Sequence, residues 1–166
     1  TSLVRDWSSD VCSSDLWDTH VGQGQLYGKH RDLLGNVAMA FQAFYRDMQD
    51  QWDDMVVVTM TEFGRTSKEN GSRGTDHAEA TAMFVAGGGV KGGVYNCDKN
   101  TWKNGDMFST NNERYLLRKT DFRSVFGEIF TDHFGNTQKQ LNQVIPTHTA
   151  AKKENPKDFK KLGLFA

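Results

Sequence analysis

The spacing of apolar residues changes several times along the chain, and each change predicts a different element. From about His30 to Asp50, Leu33, Leu34, Val37, Phe41, Phe44, Tyr45 and Met48 recur every three or four residues. That spacing predicts an amphipathic helix with one apolar stripe. MVVVTMTEF, residues 55–63, is a near-continuous β-branched and apolar run without strict alternation. It reads as a parallel strand buried on both faces. GRTSKENGSRGTDH is a polar loop of 14 residues, long enough to carry function. ATAMFVAGGG predicts a second buried strand, closed by the Gly-rich GGGVKGG, whose glycines are expected to supply positive φ in a tight turn. Residues 96–119 read as irregular. Phe122, Val125, Phe126, Ile129, Phe130 and Phe134 form the stripe of a second amphipathic helix, with Thr120 as N-cap and Gly135 at the C′ position. The Lys-rich tail from Pro146 is expected to run over the surface until LGLF. The order helix, strand, loop, strand, helix predicts an α/β layered arrangement.

One stretch fits no period. RDWSSDVCSSDL, residues 5–16, packs four serines and three aspartates into twelve positions, so no element would gather its apolar residues on one side. Written as codons, it resembles the end of a common short-read sequencing adapter translated in one frame. Residues 1–16 are therefore expected to be an artefactual leader, excluded from fold reasoning, and the native message is expected to start at about Trp17.

The chain has 166 residues, a formal net charge of −1, 37% hydrophobic and 25% charged residues. This describes one ordinary domain with both charge signs dispersed, which points to neither a nucleic-acid nor a membrane-surface partner. No apolar run reaches the length of a membrane span. Setting Cys12 aside with the leader leaves Cys97 alone, so a disulfide framework and a thiolate metal cluster are both excluded.

Candidate chemistry sits at three places. Asp18 and His20 lie two residues apart, and in extended backbone both side chains face one side; oxygen and imidazole nitrogen together suit a divalent metal such as zinc. Taken alone, an Asp-x-His of this kind is more often a loop Asp bonding backbone beside an exposed His. Glu62 ends the most apolar strand, where ligands gather in open α/β sheets, and can ligate a metal or act as a base. Arg65 follows closely enough to bind an anionic group, although a Glu–Arg surface pair is the plain alternative. Asp76 and His77 precede the next strand and are expected to divide roles, one to the metal and one to a neighbour; a capping Asp with a bystander His is the plain reading there. His30, His133 and His148 read as surface residues. GGGVKGG lacks the G-K-[ST] of a phosphate loop, which leaves a nucleotide-binding α/β domain as the weakest reading.

The set WDTH, VVVTMTEFGRT, NGSRGTDH, AMFVAGGGVKGG and TDFRSVFGEIF, in that order, resembles the C-terminal part of domain-of-unknown-function family 1501, twin-arginine-exported, sulfatase-like bacterial proteins of the alkaline phosphatase superfamily. The resemblance implies a layered α/β sandwich around a mostly parallel central sheet, of which residues 17–166 would be the C-terminal part. It implies a periplasmic or exported setting and a metal-dependent hydrolase of small phosphate or sulfate esters. It implies metal ligation by Asp18, His20, Glu62 and His77, with Asp76 as a further candidate, and anion binding by Arg65 and Arg73. Glu62-Phe63 stand where superfamily relatives carry an Asp-His pair, a departure from a full two-metal centre. The nucleophile is expected upstream, so this chain alone is expected to be inactive. The alternative is a non-catalytic exported binding or assembly protein that kept the hydrolase fold.

Overall fold

The computed structural model describes residues 17–96, 107–108 and 112–165. The adapter-like stretch, Cys12 and Cys97 lie outside them.

The first helix, α1, spans Lys29–Asp47 and runs into a 3-10 turn at Gln49–Asp54. Of its predicted stripe, Leu33 is buried and Val37, Phe41 and Met48 are half-buried, while Leu34, Phe44 and Tyr45 are exposed. The inward face is thus the narrow row at i, i+4, i+8 and i+15 rather than the full stripe.

The run at 55–63 contributes only Val57–Val58 as strand β1, which pairs with β4, Val85–Ala86. The ladder is antiparallel, with Val57 opposite Ala86 and Val58 opposite Val85, and all four residues are half-buried. The expected parallel strand is therefore a short antiparallel one. Its end is fixed by Thr59. The Thr59 amide donates to the Phe84 carbonyl, and the Thr59 hydroxyl accepts from the Phe84 amide in place of a ladder carbonyl. Strands β2, Gly64–Arg65, and β3, His77–Ala78, form a second antiparallel pair that closes the polar loop between them. Both ladders among the described residues are antiparallel.

The first two glycines after β4 act by close approach, not by positive φ. Gly87 and Gly88 keep ordinary backbone angles, yet a Cβ at either would collide with Met55 or Asp53, and the Gly88 amide donates to the Trp52 carbonyl at 2.9 Å.

Helix α2, Phe122–Glu128, continues as a π-helical turn, Ile129–His133. Its N-cap is Asp121, not Thr120: the Asp121 carboxylate accepts the Arg123 amide at 2.9 Å, whereas the Thr120 hydroxyl is engaged by Asn96. Val125 and Ile129 of this segment join Leu164 in a buried cluster, against which Val56, Val58, Met83 and Val85 pack. One helix face therefore lies on the β1–β4 pair, and the LGLF stretch closes the cluster.

The C-terminal segment departs most from expectation. It forms α3, Gln138–Val144, and α4, His148–Glu154, followed by a 3-10 turn at Pro156–Phe159. Thr137 and Gln140 make a capping box at the start of α3. Leu141, His148, Ala151 and Phe159 are all buried. Among the described residues no helix is long and apolar enough to cross a membrane.

Glu128 holds the last segment in place. Its carboxylate is buried and accepts the backbone amides of Leu162, Gly163 and Leu164, the latter two at 2.9 and 3.1 Å. Hydrogen bonds to a charged acceptor are the strong kind, and an unpaired buried amide costs about 1–3 kcal/mol. Glu128→Ala is expected to lower unfolding free energy by about 2–5 kcal/mol in urea titrations, with Glu128→Gln costing less because one carbonyl oxygen survives.

His148 is buried against Phe159 and close to Gly127 of α2. Its Nδ1 has no hydrogen-bond partner among the described residues. Burial pushes its pKa down, the charges of Lys152 and Arg123 push the same way, and Asp121 opposes them. A depressed imidazole binds fewer protons folded than unfolded, so stability is full above the unfolded value of 6.5 and drains away as the pH falls toward the depressed folded value. Denaturation midpoints measured from pH 7.5 down to 5 should fall in the parent and fall less in His148→Gln.

Candidate functional site

Two segments distant in sequence form the site, and backbone hydrogen bonds join them. The Gly22 amide donates to the Ser72 carbonyl at 3.0 Å, Gln23 to Arg73 at 2.8 Å and Thr75 to Thr19 at 3.2 Å. Val21 and Arg73 form an isolated antiparallel bridge. Gln23 Oε1 accepts the hydroxyls of Thr19 and Thr75, at 2.8 and 2.6 Å. Gly74 is the point of closest passage. A Cβ there would stand on the carbonyl groups of Thr19 and His20, so no other residue allows the two strands of chain to meet as they do.

That meeting brings Asp18, His20 and His77 together, with one potential ligand atom from each inside a 4.8 Å group. His77 Nε2 is 2.8 Å from Asp18 Oδ1, His20 Nε2 is 3.0 Å from the same oxygen, and the two Nε2 atoms are 3.1 Å apart. The ligand atoms of a tetrahedral zinc are about 3.3 Å apart with this same mix of imidazole nitrogen and carboxylate oxygen. The triangle is slightly tighter than that, and a small adjustment of exposed side chains would open it. The group fits a divalent cation of the zinc type.

The other sequence candidates divide around it. Arg65, from β2, donates to Asp18, to the Thr75 carbonyl at 2.7 Å and to the Trp17 carbonyl at 2.9 Å. It neutralises Asp18 and ties both segments to the β2–β3 pair. Asp76 stands on the far side of His20: its Oδ1 is 3.2 Å from His20 Nδ1 and accepts from Asn70 Nδ2 at 2.9 Å, and Arg114 binds its Oδ2. Glu62 lies outside the three-residue group. It is exposed and makes no hydrogen bond or ion pair among the described residues. Its neighbour Phe63 reaches the site instead, stacking on His77 with ring centroids 3.9 Å apart and lying beneath Arg65. Arg73 is exposed with φ 60°. It contributes its backbone to the junction and lines an open cleft with Gln23, Thr66, Ser67 and Glu69.

Both acids stay ionised to low pH. The hydrogen bond with His77, with Arg65 and His20 beside it, holds the Asp18 carboxyl below the usual carboxylate range. Asn70 does the same for Asp76, helped by His20 and Arg114. Asn70 and Arg114 were not legible as site residues. Asn70 carried a weak signal, an Asn before Gly in a polar loop, and its Oδ1 accepts the amides of Ser72 and Gly74 while its Nδ2 donates to the His20 carbonyl. Arg114 carried no signal, because it comes from a segment read as irregular that docks through Ser67 and Lys68.

A family profile described as protein of unknown function (DUF1501) matches residues 8–145. The matched span begins inside the stretch that resembles translated adapter. No curated protein and no solved structure matches the chain.

Gly74→Ala is expected to force the two segments apart, costing about 1–3 kcal/mol of stability as an overpacking substitution. NMR spectra of the variant should show the His20 and His77 ring signals moving together; unchanged ring signals would mean the junction does not position them.

Proposed function

The chain belongs to the family of proteins of unknown function DUF1501, and from that premise we propose that it carries the metal-holding part of an exported, metal-dependent hydrolase acting on small phosphate or sulfate esters. The observation that carries this reading is the convergence of Asp18 Oδ1, His20 Nε2 and His77 Nε2 within 3.1 Å of one another. Two imidazole nitrogens and a carboxylate oxygen that converge on one point are a donor set suited to a shared cation. The layered sandwich with a mostly parallel central sheet belongs to the same proposal, as the setting into which these elements would fit.

Asp18, His20 and His77 would hold a divalent ion of the zinc type, which when bound polarises an ester oxygen and lowers the pKa of bound water. The residues of the chain supply the rest. Phe63 covers one face of His77 and shields it from water. Arg65 stands on the flank of Asp18 with its side chain 20% exposed, able to meet an anionic group that arrives there. Arg73 offers a second cation from the neighbouring cleft.

A second reading, a non-catalytic exported binding protein, draws on one observation. Among the described residues no serine, threonine or cysteine side chain is hydrogen-bonded to Asp18, His20 or His77. The hydroxyls nearest in sequence are engaged elsewhere: Thr19 and Thr75 with Gln23, Thr66 with the Lys68 carbonyl. A hydrolase that uses a side-chain nucleophile would draw it from another segment, and this chain alone is expected to show no turnover.

Calorimetric titration of the chain with zinc should reveal one saturable site, and His77→Ala or Asp18→Asn should weaken it by about tenfold or more, each ligand lost removing at least about 1.4 kcal/mol. No saturable binding by the unsubstituted chain would end both the metal assignment and the hydrolase reading. Metal-dependent release of nitrophenol from its phosphate or sulfate ester by the whole protein would decide against the binding-protein alternative.

A further inference from the structure

We propose that Asp76 is a positioning residue: its carboxylate accepts a hydrogen bond from His20 Nδ1 and so turns the Nε2 lone pair of His20 toward Asp18 and His77. The inference rests on the metal-holding reading of that group and adds the device that keeps one of its ligands in the competent state.

A neutral imidazole has one N–H, and the nitrogen without it is the one that can ligate. His20 sits between two carboxylates that compete for that proton. Asp18 Oδ1 is 3.0 Å from Nε2, and Asp76 Oδ1 is 3.2 Å from Nδ1. Were Asp18 to win, Nε2 would carry the proton and face the site as a donor, useless to a cation. Three features tip the balance toward Asp76. The Asp18 oxygen already accepts from the Arg65 guanidinium, so its demand is met without His20. Asp76 is fixed at both ends, its amide donating to Thr66 Oγ1 at 3.1 Å and its carbonyl accepting from the Thr66 amide at 2.9 Å. Its carboxylate is clamped by Asn70 on one oxygen and Arg114 on the other, which leaves it ionised and able only to accept.

The same clamp keeps Asp76 from ligating. Its oxygens are committed to Asn70 and Arg114, and it faces the opposite edge of the imidazole from the Asp18–His77 pair. Asn70 adds a second restraint, because the Nδ2 that holds Asp76 also donates to the His20 carbonyl at 3.0 Å. Backbone and ring of His20 are thus oriented by one neighbouring loop. Carboxylates that orient ligating histidines in this way are worth about 10–100-fold in metal affinity.

Two readouts on the full chain test this: long-range proton–nitrogen correlation spectra, which report the His20 tautomer without any metal, and zinc affinity by competition with a chelator. The unsubstituted chain at mildly alkaline pH should show His20 protonated on Nδ1. Asp76→Ala should give mixed tautomers and bind zinc about 10–100-fold more weakly. Asp76→Asn keeps a carbonyl acceptor and should restore the tautomer and part of the affinity. If Asp76→Ala does not fold, Asn70→Ala and Arg114→Gln, which loosen Asp76 without touching the His20 ring, should shift both readouts the same way. A folded Asp76→Ala protein with an unchanged tautomer, or an Nε2-protonated His20 in the parent, overturns the positioning role. A tautomer that depends on Asp76 in a chain that binds no zinc would instead leave the positioning role standing and sink the metal reading alone.

Discussion

The passage of residues 19–23 against Gly74 is the constraint on which the site depends. His20 and Asp76 are separated by 56 positions in the chain, and the ordering entropy of bringing such groups together must be met by something other than their own attraction. The ion pairs are poor candidates for that work. Asp18, His20, His77 and Asp76 all have substantially exposed side chains, and exposed pairs contribute about 0–1 kcal/mol each. The backbone bonds across the junction, the shared Gln23 acceptor and the steric exclusion of any side chain at position 74 are cumulative and directional. Geometry comes from the backbone; the charged groups occupy the places it gives them.

Charge balance then decides the chemistry the group can support. Two carboxylates meet two guanidiniums, Asp18 with Arg65 and Asp76 with Arg114, one pair on each side of His20. Neither acid needs a proton in order to sit there, and both are held ionised below the usual carboxylate range. The stack of Phe63 on His77 limits water on one side without closing the site.

The support for this site comes from the packing around β1. Strand β1 leads through Thr59 to Phe63 and Arg65, so whatever fixes β1 fixes the side chains that cap and neutralise the group. The fixing is done by Val125 and Ile129 above the β1–β4 pair and by the LGLF segment, which Glu128 secures through three amides. A charged residue in the buried stripe of a helix is therefore a structural element here: it replaces the ladder partners that the final residues would otherwise lack.

How much of this was legible depends on the range of the interaction. The sequence by itself determined the two main helices, because apolar periodicity over fifteen or more residues is a local property, and it offered Asp18, His20, Glu62 and His77, with Asp76, as chemically suited groups through spacing and residue type. It also located the polar loop that carries Asn70 through His77. Only the tertiary structure decided that β1 is short and antiparallel, since a hydroxyl from Thr59 ends the ladder and no local pattern announces a pairing partner. It decided that His148 and Glu128 are interior, because their burial is produced by α4 and LGLF folding back over α2. And it decided which of the candidate acids and bases meet: Glu62 and Phe63 are neighbours in sequence, yet the ring faces His77 and the carboxylate faces solvent, a distinction made by the direction of a single extended segment against a distant turn.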